Sequence, residues 1–242
     1  MRRTWTTIAD GVRVTHAIRY TTASTLIDDG AVALLVDPAL EPDELTALAL
    51  DVRDLGVPVA GGVSTHAHWD HLLWPAGLPP VPRWISEPAA VAVQRQRAEL
   101  TDQLGRLREA LTPGFAEVSP VLGAVPGSVV PVPWSGPEAL LVVHDGHSPG
   151  HAALWLPESR VLLAGDMLSD VEPPLPSSSE NVAAYDAGLE LLHPFVELAR
   201  VLVPGHGSPT DRPLERWTTD RRYLDDLLAG RTPDDARVPP ED

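Results

Sequence analysis

Along the chain, apolar runs of strand length come in two batches, and each batch gives way to segments with helical spacing. In the first batch, residues 12–19 and 25–27 read as short strands, and residues 31–36 as a buried strand ending at Asp37-Pro38. Asp28-Asp29-Gly30, set between apolar runs, signals a hairpin turn. Residues 41–55 then place Leu45, Leu48 and Val52 on one helical stripe. Residues 57–64 form a short strand that delivers the chain to Thr65-His66. A second amphipathic helix is predicted over residues 87–111, with Val91, Leu100, Leu104, Leu107 and Leu111 among its apolar positions.

The second batch begins with a strand at 140–143 and a hairpin of 152–156 with 161–164 around Pro157-Glu158-Ser159-Arg160. Residues 172–180 are a proline- and serine-rich loop. Residues 181–200 contain helix, with a break expected before Pro194. Residues 201–203 form a strand ending at Pro204-Gly205-His206-Gly207, and residues 211–228 a closing helix. No repeat of fixed period is present. The pattern predicts an α+β fold, a sandwich of two sheets with helices on both outer faces. The expected organisation is one domain over 1–242. A helical and irregular middle at 85–135 borders the pocket, and a flexible acidic tail occupies 231–242.

Composition narrows the chemistry. The net charge of −16 argues against nucleic acid as a partner, since phosphate binding needs a basic face. There is no cysteine, so any metal must be held by nitrogen and oxygen, and no thiolate nucleophile exists. No run approaches the roughly 20 apolar residues of a membrane span. No apolar stretch of signal-peptide length opens the chain. The expectation is a cytoplasmic protein acting on a small molecule, with no membrane partner.

Thr65-His66-Ala67-His68-Trp69-Asp70-His71 carries the strongest signal. Four candidate ligands crowd into six residues directly after an apolar strand. Extended alternation puts His66 and His68 on one side, and a turn into helix swings Asp70 and His71 towards a second point. Imidazole and carboxylate are the ligands zinc accepts when thiolate is absent.

His-x-His-x-Asp-His after a strand resembles the metallo-β-lactamase superfamily, including its glyoxalase II, lactonase and arylsulfatase-like branches. Four further segments match in order: Leu35-Val36-Asp37-Pro38, Gly146-His147-Ser148-Pro149-Gly150-His151, Ala164-Gly165-Asp166 and Pro204-Gly205-His206-Gly207. The resemblance implies the αββα sandwich of mixed sheets and two divalent metal ions. Zinc is the first choice, with iron and manganese as alternatives. His66, His68 and His147 would hold the first ion, Asp70, His71 and His206 the second, and Asp166 would bridge them. A water or hydroxide between the ions would attack an ester, thioester, lactone or β-lactam carbonyl, with Asp70 also orienting it. A mononuclear iron persulfide dioxygenase and a phosphodiesterase are the alternatives on the same scaffold. Relatives are commonly dimers, so a homodimer is open by analogy.

Some assignments stay open at this stage. His147 and His151 compete for the third ligand of the first ion, and the register before Ser148-Pro149-Gly150 favours His147. Asp37 is either a hydrogen-bonding support for a ligand loop or a strand-end turn. Trp69 and Trp74 flank the motif, as packing residues or as an aromatic wall for substrate. His16, His144 and His193 read as structural or surface histidines. The Arg- and Gln-bearing helix at 87–111 is a solvated face or a lid, and the loop at 170–180 is placed to border the pocket.

Overall fold

The computed structural model describes residues 3–103, 109–112, 114–176 and 181–238. Two mixed sheets face each other. The first has seven strands in spatial order: β1 (Thr6–Ala9), β2 (Val12–His16), β3 (Ala23–Asp28), β4 (Ala33–Val36), β5 (Val59–Val63), β6 (Arg83–Ile85) and β7 (Ser119–Pro120). Its first four strands pair antiparallel and the remainder parallel. The second sheet contains β8 (Val129–Pro131), β9 (Leu140–Val143), β10 (Ala152–Leu156), β11 (Val161–Gly165) and β12 (Val201–Pro204), with only β11 and β12 parallel. The α+β sandwich expected from the patterning is the observed architecture.

Period-two alternation sorts each strand's residues between an inner and an outer layer. Leu34 and Val36 of β4 face Leu154, Leu156 and Leu163 across the sandwich, while Leu35 turns outward. There Leu35 meets Leu48 and Val52 of α1 (Pro42–Asp54). On the other side, Trp155 and Leu162 are covered by α4 (Val182–Leu198) and α5 (Pro213–Leu228). The helical segments nearest the ligand motif are α2 (Trp69–Leu72) and the start of α3 (Glu87–Gln103). No described helix is long and apolar enough to cross a membrane.

β5 reads Val-Ala-Gly-Gly-Val, and its glycines are a packing requirement. A Cβ on Gly62 would lie 2.6 Å from Cζ3 of Trp74, and one on Gly61 would lie 3.0 Å from Cη2 of Trp84. The strand therefore admits an indole on each face just before the chain reaches His66.

Several expectations need correction. The strand expected over 12–19 is β2 and ends at His16, because the chain turns through left-handed Tyr20 (φ 59°) and Thr21 (φ 52°) before β3. The α3 helix is described only to Gln103, and residues 104–108 of the expected helix lie outside the described residues. Leu111 is not helical; it bridges to Pro75, and Thr112 N–H bonds the Trp74 carbonyl. Val91 faces solvent at 44% exposure, while Ala89, Ala90 and Val93 form the buried face. The α4 helix runs through Pro194 without a break. The proline forfeits only the hydrogen bond to Glu190, whose position is exposed to water. The tail is anchored as far as Arg237, whose side chain is 8% exposed. Residues 239–242 lie outside the described part.

Candidate metal centre

The seven residues marked by the motifs converge at one end of the sandwich, where β4, β5, β11 and β12 finish. His66, His68, His147 and Asp166 bring one ligand atom each to within 4.8 Å of one another, and Asp70, His71 and His206 form a second such group. Asp166 touches both groups. Its carboxylate lies 3.3 Å from His66 Nε2, 3.1 Å from His71 Nε2, 3.5 Å from His147 Nε2 and 3.3 Å from His206 Nε2. Asp70 lies 3.2 Å from His71 Nε2 and 3.4 Å from His206 Nε2.

The outward ring nitrogens set the tautomers. His71 Nδ1 donates to Asp37 at 2.9 Å, His147 Nδ1 to the Leu175 carbonyl at 3.0 Å and His206 Nδ1 to the Tyr20 carbonyl at 3.0 Å. His66 Nδ1 donates to Thr65 Oγ1 at 3.0 Å, and that hydroxyl donates onward to Asp37 at 2.8 Å. In each ring the Nε2 lone pair is left pointing inward. Nε2 of His66, Nε2 of His71 and Oδ1 of Asp166 are buried with no hydrogen-bond partner. Buried acceptors without donors are costly unless a cation satisfies them. The donor set, imidazole and carboxylate only, fits a divalent metal.

Electrostatics point the same way. Burial, outweighing Asp166, pushes His66 well below the usual imidazole range, and burial with His147 lowers His68 to about 4. Burial opposes a charge on His71, yet Asp166, Asp70 and Asp37 together raise its proton affinity well above normal. Burial likewise opposes ionisation of Asp166, but His71 and His66 hold it well below the usual carboxylate range. The cluster is an anionic hollow that attracts a proton when no stronger cation competes.

His151 is buried and spoken for. Its Nε2 accepts the Asp166 N–H at 3.0 Å, and its Nδ1 lies 3.3 Å from His144 Nε2. It therefore braces Asp166 from behind, and His147 is the histidine that joins the ligand group. Gly165 makes this possible: its φ is 56°, and a Cβ there would lie 2.6 Å from His151 Cε1. His144, also buried, stacks on His151 with ring centroids 4.7 Å apart.

Asp37 sits at φ 48° and is 3% exposed. It accepts from Thr65 N–H at 2.9 Å, from Thr65 Oγ1 and from His71 Nδ1, so it supports both metal-facing groups. Asp37→Ala would orphan those donors. Calorimetric titration should show zinc affinity reduced by about 10–100-fold; an unchanged affinity would reduce Asp37 to a strand-end turn.

The two tryptophans separate. Trp74 is core: it is 3% exposed, packs in the layer beneath α1 and donates Nε1 to the Pro79 carbonyl at 3.1 Å. Of the two readings left open for Trp74, packing is the one observed, and it takes no part in a substrate wall. Leu73 leaves α2 in extended conformation and turns Trp74 inward. Trp69 stays half-buried beside Asp70 and packs, as Phe115 does, against the clusters that contain Leu72 and Leu73.

Sequence reading missed Thr22, whose Oγ1 donates to Asp70 at 3.0 Å, and Ser169, whose Oγ donates to the His206 carbonyl at 2.7 Å. Neither lies in a motif. The bridge pairing Thr22 with His206 creates the first contact. A cavity of about 580 Å³, lined by Asp10, Arg13, Asp28, Glu138 and Glu158 among others, contains none of the seven converging residues.

Solved structures share this architecture. A metallo-β-lactamase family protein from Thermus thermophilus superposes with a TM-score of 0.67 at 22% identity, covering 92% of this chain and 82% of that one. The metallo-β-lactamase FIM-1 from Pseudomonas aeruginosa, solved in a mono-zinc form, gives 0.66 at 19% identity, covering 93% and 96%. A β-lactamase domain protein from Burkholderia ambifaria gives 0.64 at 23% identity, covering 91% and 75%. At these identities the likeness speaks for fold alone. The family model of the metallo-β-lactamase superfamily matches residues 18–206, a span that takes in the whole convergent cluster. The chain belongs to the metallo-β-lactamase superfamily and carries its metal-dependent hydrolase fold.

Proposed function

We propose that the protein is a dinuclear, zinc-dependent hydrolase of a small-molecule ester, thioester, lactone or β-lactam. One observation carries this reading: seven cysteine-free ligand residues fall into two groups, both touched by Asp166, with Nε2 of His66, His71, His147 and His206 turned inward. His66, His68 and His147 would hold one ion, Asp70, His71 and His206 the other, and Asp166 both. When bound, such ions supply a water of lowered pKa and polarise a carbonyl.

The chain's own residues do the rest. Thr22 Oγ1 donates to Asp70 Oδ2, the same oxygen that lies between His71 and His206, and so holds the carboxylate in place to orient a water and accept its proton. His66 and His71 are fully buried, so the floor is dry and charge interactions there are strong. Trp69 offers the apolar edge beside Asp70, where an acyl or aryl portion would rest. The −16 charge disfavours polyanionic phosphodiester substrates.

The test is elemental analysis of protein as isolated, followed by a panel of lactones, thioesters, aryl esters and β-lactams with and without chelator. The expected result is close to two zinc per chain and hydrolysis that chelation abolishes and zinc restores. Full activity after verified metal removal would sink the reading, and iron with oxygen uptake on a persulfide would replace it.

A further inference from the structure

Arg237 lies in the segment expected to be a free tail, yet it is the most heavily bonded side chain near the metal centre. Its Nη1 donates to the Ser169 carbonyl at 2.8 Å, the Glu172 carbonyl at 3.1 Å and Asp220 Oδ1 at 2.7 Å. Nε and Nη2 grip Asp235 at 2.9 and 2.7 Å. Asp220, on α5, is 1% exposed, and its other oxygen accepts the Leu168 N–H at 3.1 Å.

Those contacts hold residues 168–172, the stretch leaving Asp166. Leu168 has φ 61°, a left-handed conformation that a leucine avoids unless its surroundings impose it. Ser169 then ties this stretch to the last ligand segment, donating Oγ to the His206 carbonyl and accepting Glu172 N–H at 3.1 Å. Asp170 accepts Ser208 N–H at 2.8 Å. An ion pair between α5 and the C-terminal segment thus sets the backbone linking Asp166 to His206.

We propose that Arg237, acting through Asp220, is a positioning residue for the second metal position, the one formed by Asp70, His71 and His206. The proposal rests on the dinuclear reading above. A planar guanidinium suits the task, because Nη1 reaches two carbonyls and Asp220 while Nε and Nη2 hold both oxygens of Asp235; a single ammonium cannot serve both sets at once. His66 and His68 have no contact with this pair, and His147 meets the held stretch only through the Leu175 carbonyl, beyond Glu172, so the first position should sense its loss less than the second.

The experiment titrates full-length native protein and Arg237→Met with zinc calorimetrically, well below the unfolding temperature of each. Cobalt(II) absorbance counts the occupied positions in parallel. In the variant, one of the two binding steps should fall by about 10–100-fold, and the other by clearly less. Arg237→Lys should recover part of the loss; it keeps a charge opposite Asp220 and serves as the probe if the methionine variant does not fold. Two native affinities in a variant with only a lower Tm would overturn the proposal, as would equal weakening of both steps. Native protein that binds no zinc would overturn the dinuclear reading as well, so the two failures are distinguishable.

Discussion

An Asp166→Asn variant is expected to hold fewer metal ions than the native chain and to lose hydrolytic activity by on the order of a thousandfold. The substitution conserves volume, so packing changes little. Its effect is electrostatic. Asp166 is 5% exposed at its side chain and lies within 3.5 Å of Nε2 on His66, His71, His147 and His206. Asparagine removes the negative charge between two cation positions and turns an N–H₂ donor towards lone pairs that a cation should face. Leaving a buried charge uncompensated costs about 3–5 kcal/mol. At about 1.4 kcal/mol per factor of ten, the middle of that range gives the thousandfold figure. Metal content by elemental analysis and turnover of the best ester or lactone check it. A folded variant with native metal content and native turnover would remove Asp166 from the centre.

The site was legible in the sequence where its chemistry is contiguous. His66, His68, Asp70 and His71 fall within six residues because one short strand-to-helix turn presents them all. Asp37, His147, Asp166 and His206 stood out because each ends a strand or opens a loop at the same end of the sandwich. What lay hidden depends on contacts that only the tertiary structure makes. Thr22 reaches Asp70 across 48 residues, and Arg237 reaches Ser169 across 68. Neither is surrounded by a pattern.

Trp74 misled in the opposite way. Proximity to the motif suggested a pocket residue, but the four-residue α2 ends too soon to keep it at the rim. The strand Arg83–Ile85 escaped notice because three residues after Pro79, Pro80 and Pro82 carry no readable period. His144 and His151 show why a histidine count alone does not assign ligands. Both are buried beside the centre, and one braces the Asp166 backbone while the other stacks behind it.

In the presence of chelator, the unfolding free energy should fall steeply as pH drops from about 6.5 towards 4. Burial keeps His66 and His151 neutral far below the usual imidazole range, and it lowers His144 to about 3. The unfolded chain protonates these rings near 6.5 while the native chain does not. Each such proton costs about 1.4 kcal/mol per pH unit, so three fully buried rings give a limb of about 4 kcal/mol per pH unit. Asp220, raised by burial to about 6, takes up its proton in the folded state and opposes the limb by one proton between about 6 and 4. His68, lowered by burial to about 4, and His147 and His16, also lowered by burial, add to it. His71 and His206 are raised in the folded state, against burial, by their carboxylate neighbours, Asp166 foremost. Their contribution is complete below about 6.5 and is lost only as pH rises through their folded values. Asp70 and Asp166 are lowered, and their contribution is lost only as pH falls below the ordinary carboxylate range. Zinc at a thousandfold excess over its dissociation constant should add about 4 kcal/mol above neutrality. Because the proton affinity of His71 is raised, against burial, by its carboxylate neighbours, Asp166 foremost, zinc must compete with a proton there, and the zinc increment should shrink as pH falls. Urea melts across this range, with chelator and with zinc, measure both slopes. If the chelated midpoint stayed level down to pH about 5, the rings would be hydrated or already charged in the native state, and no set of buried, inward-facing lone pairs would be waiting for a cation.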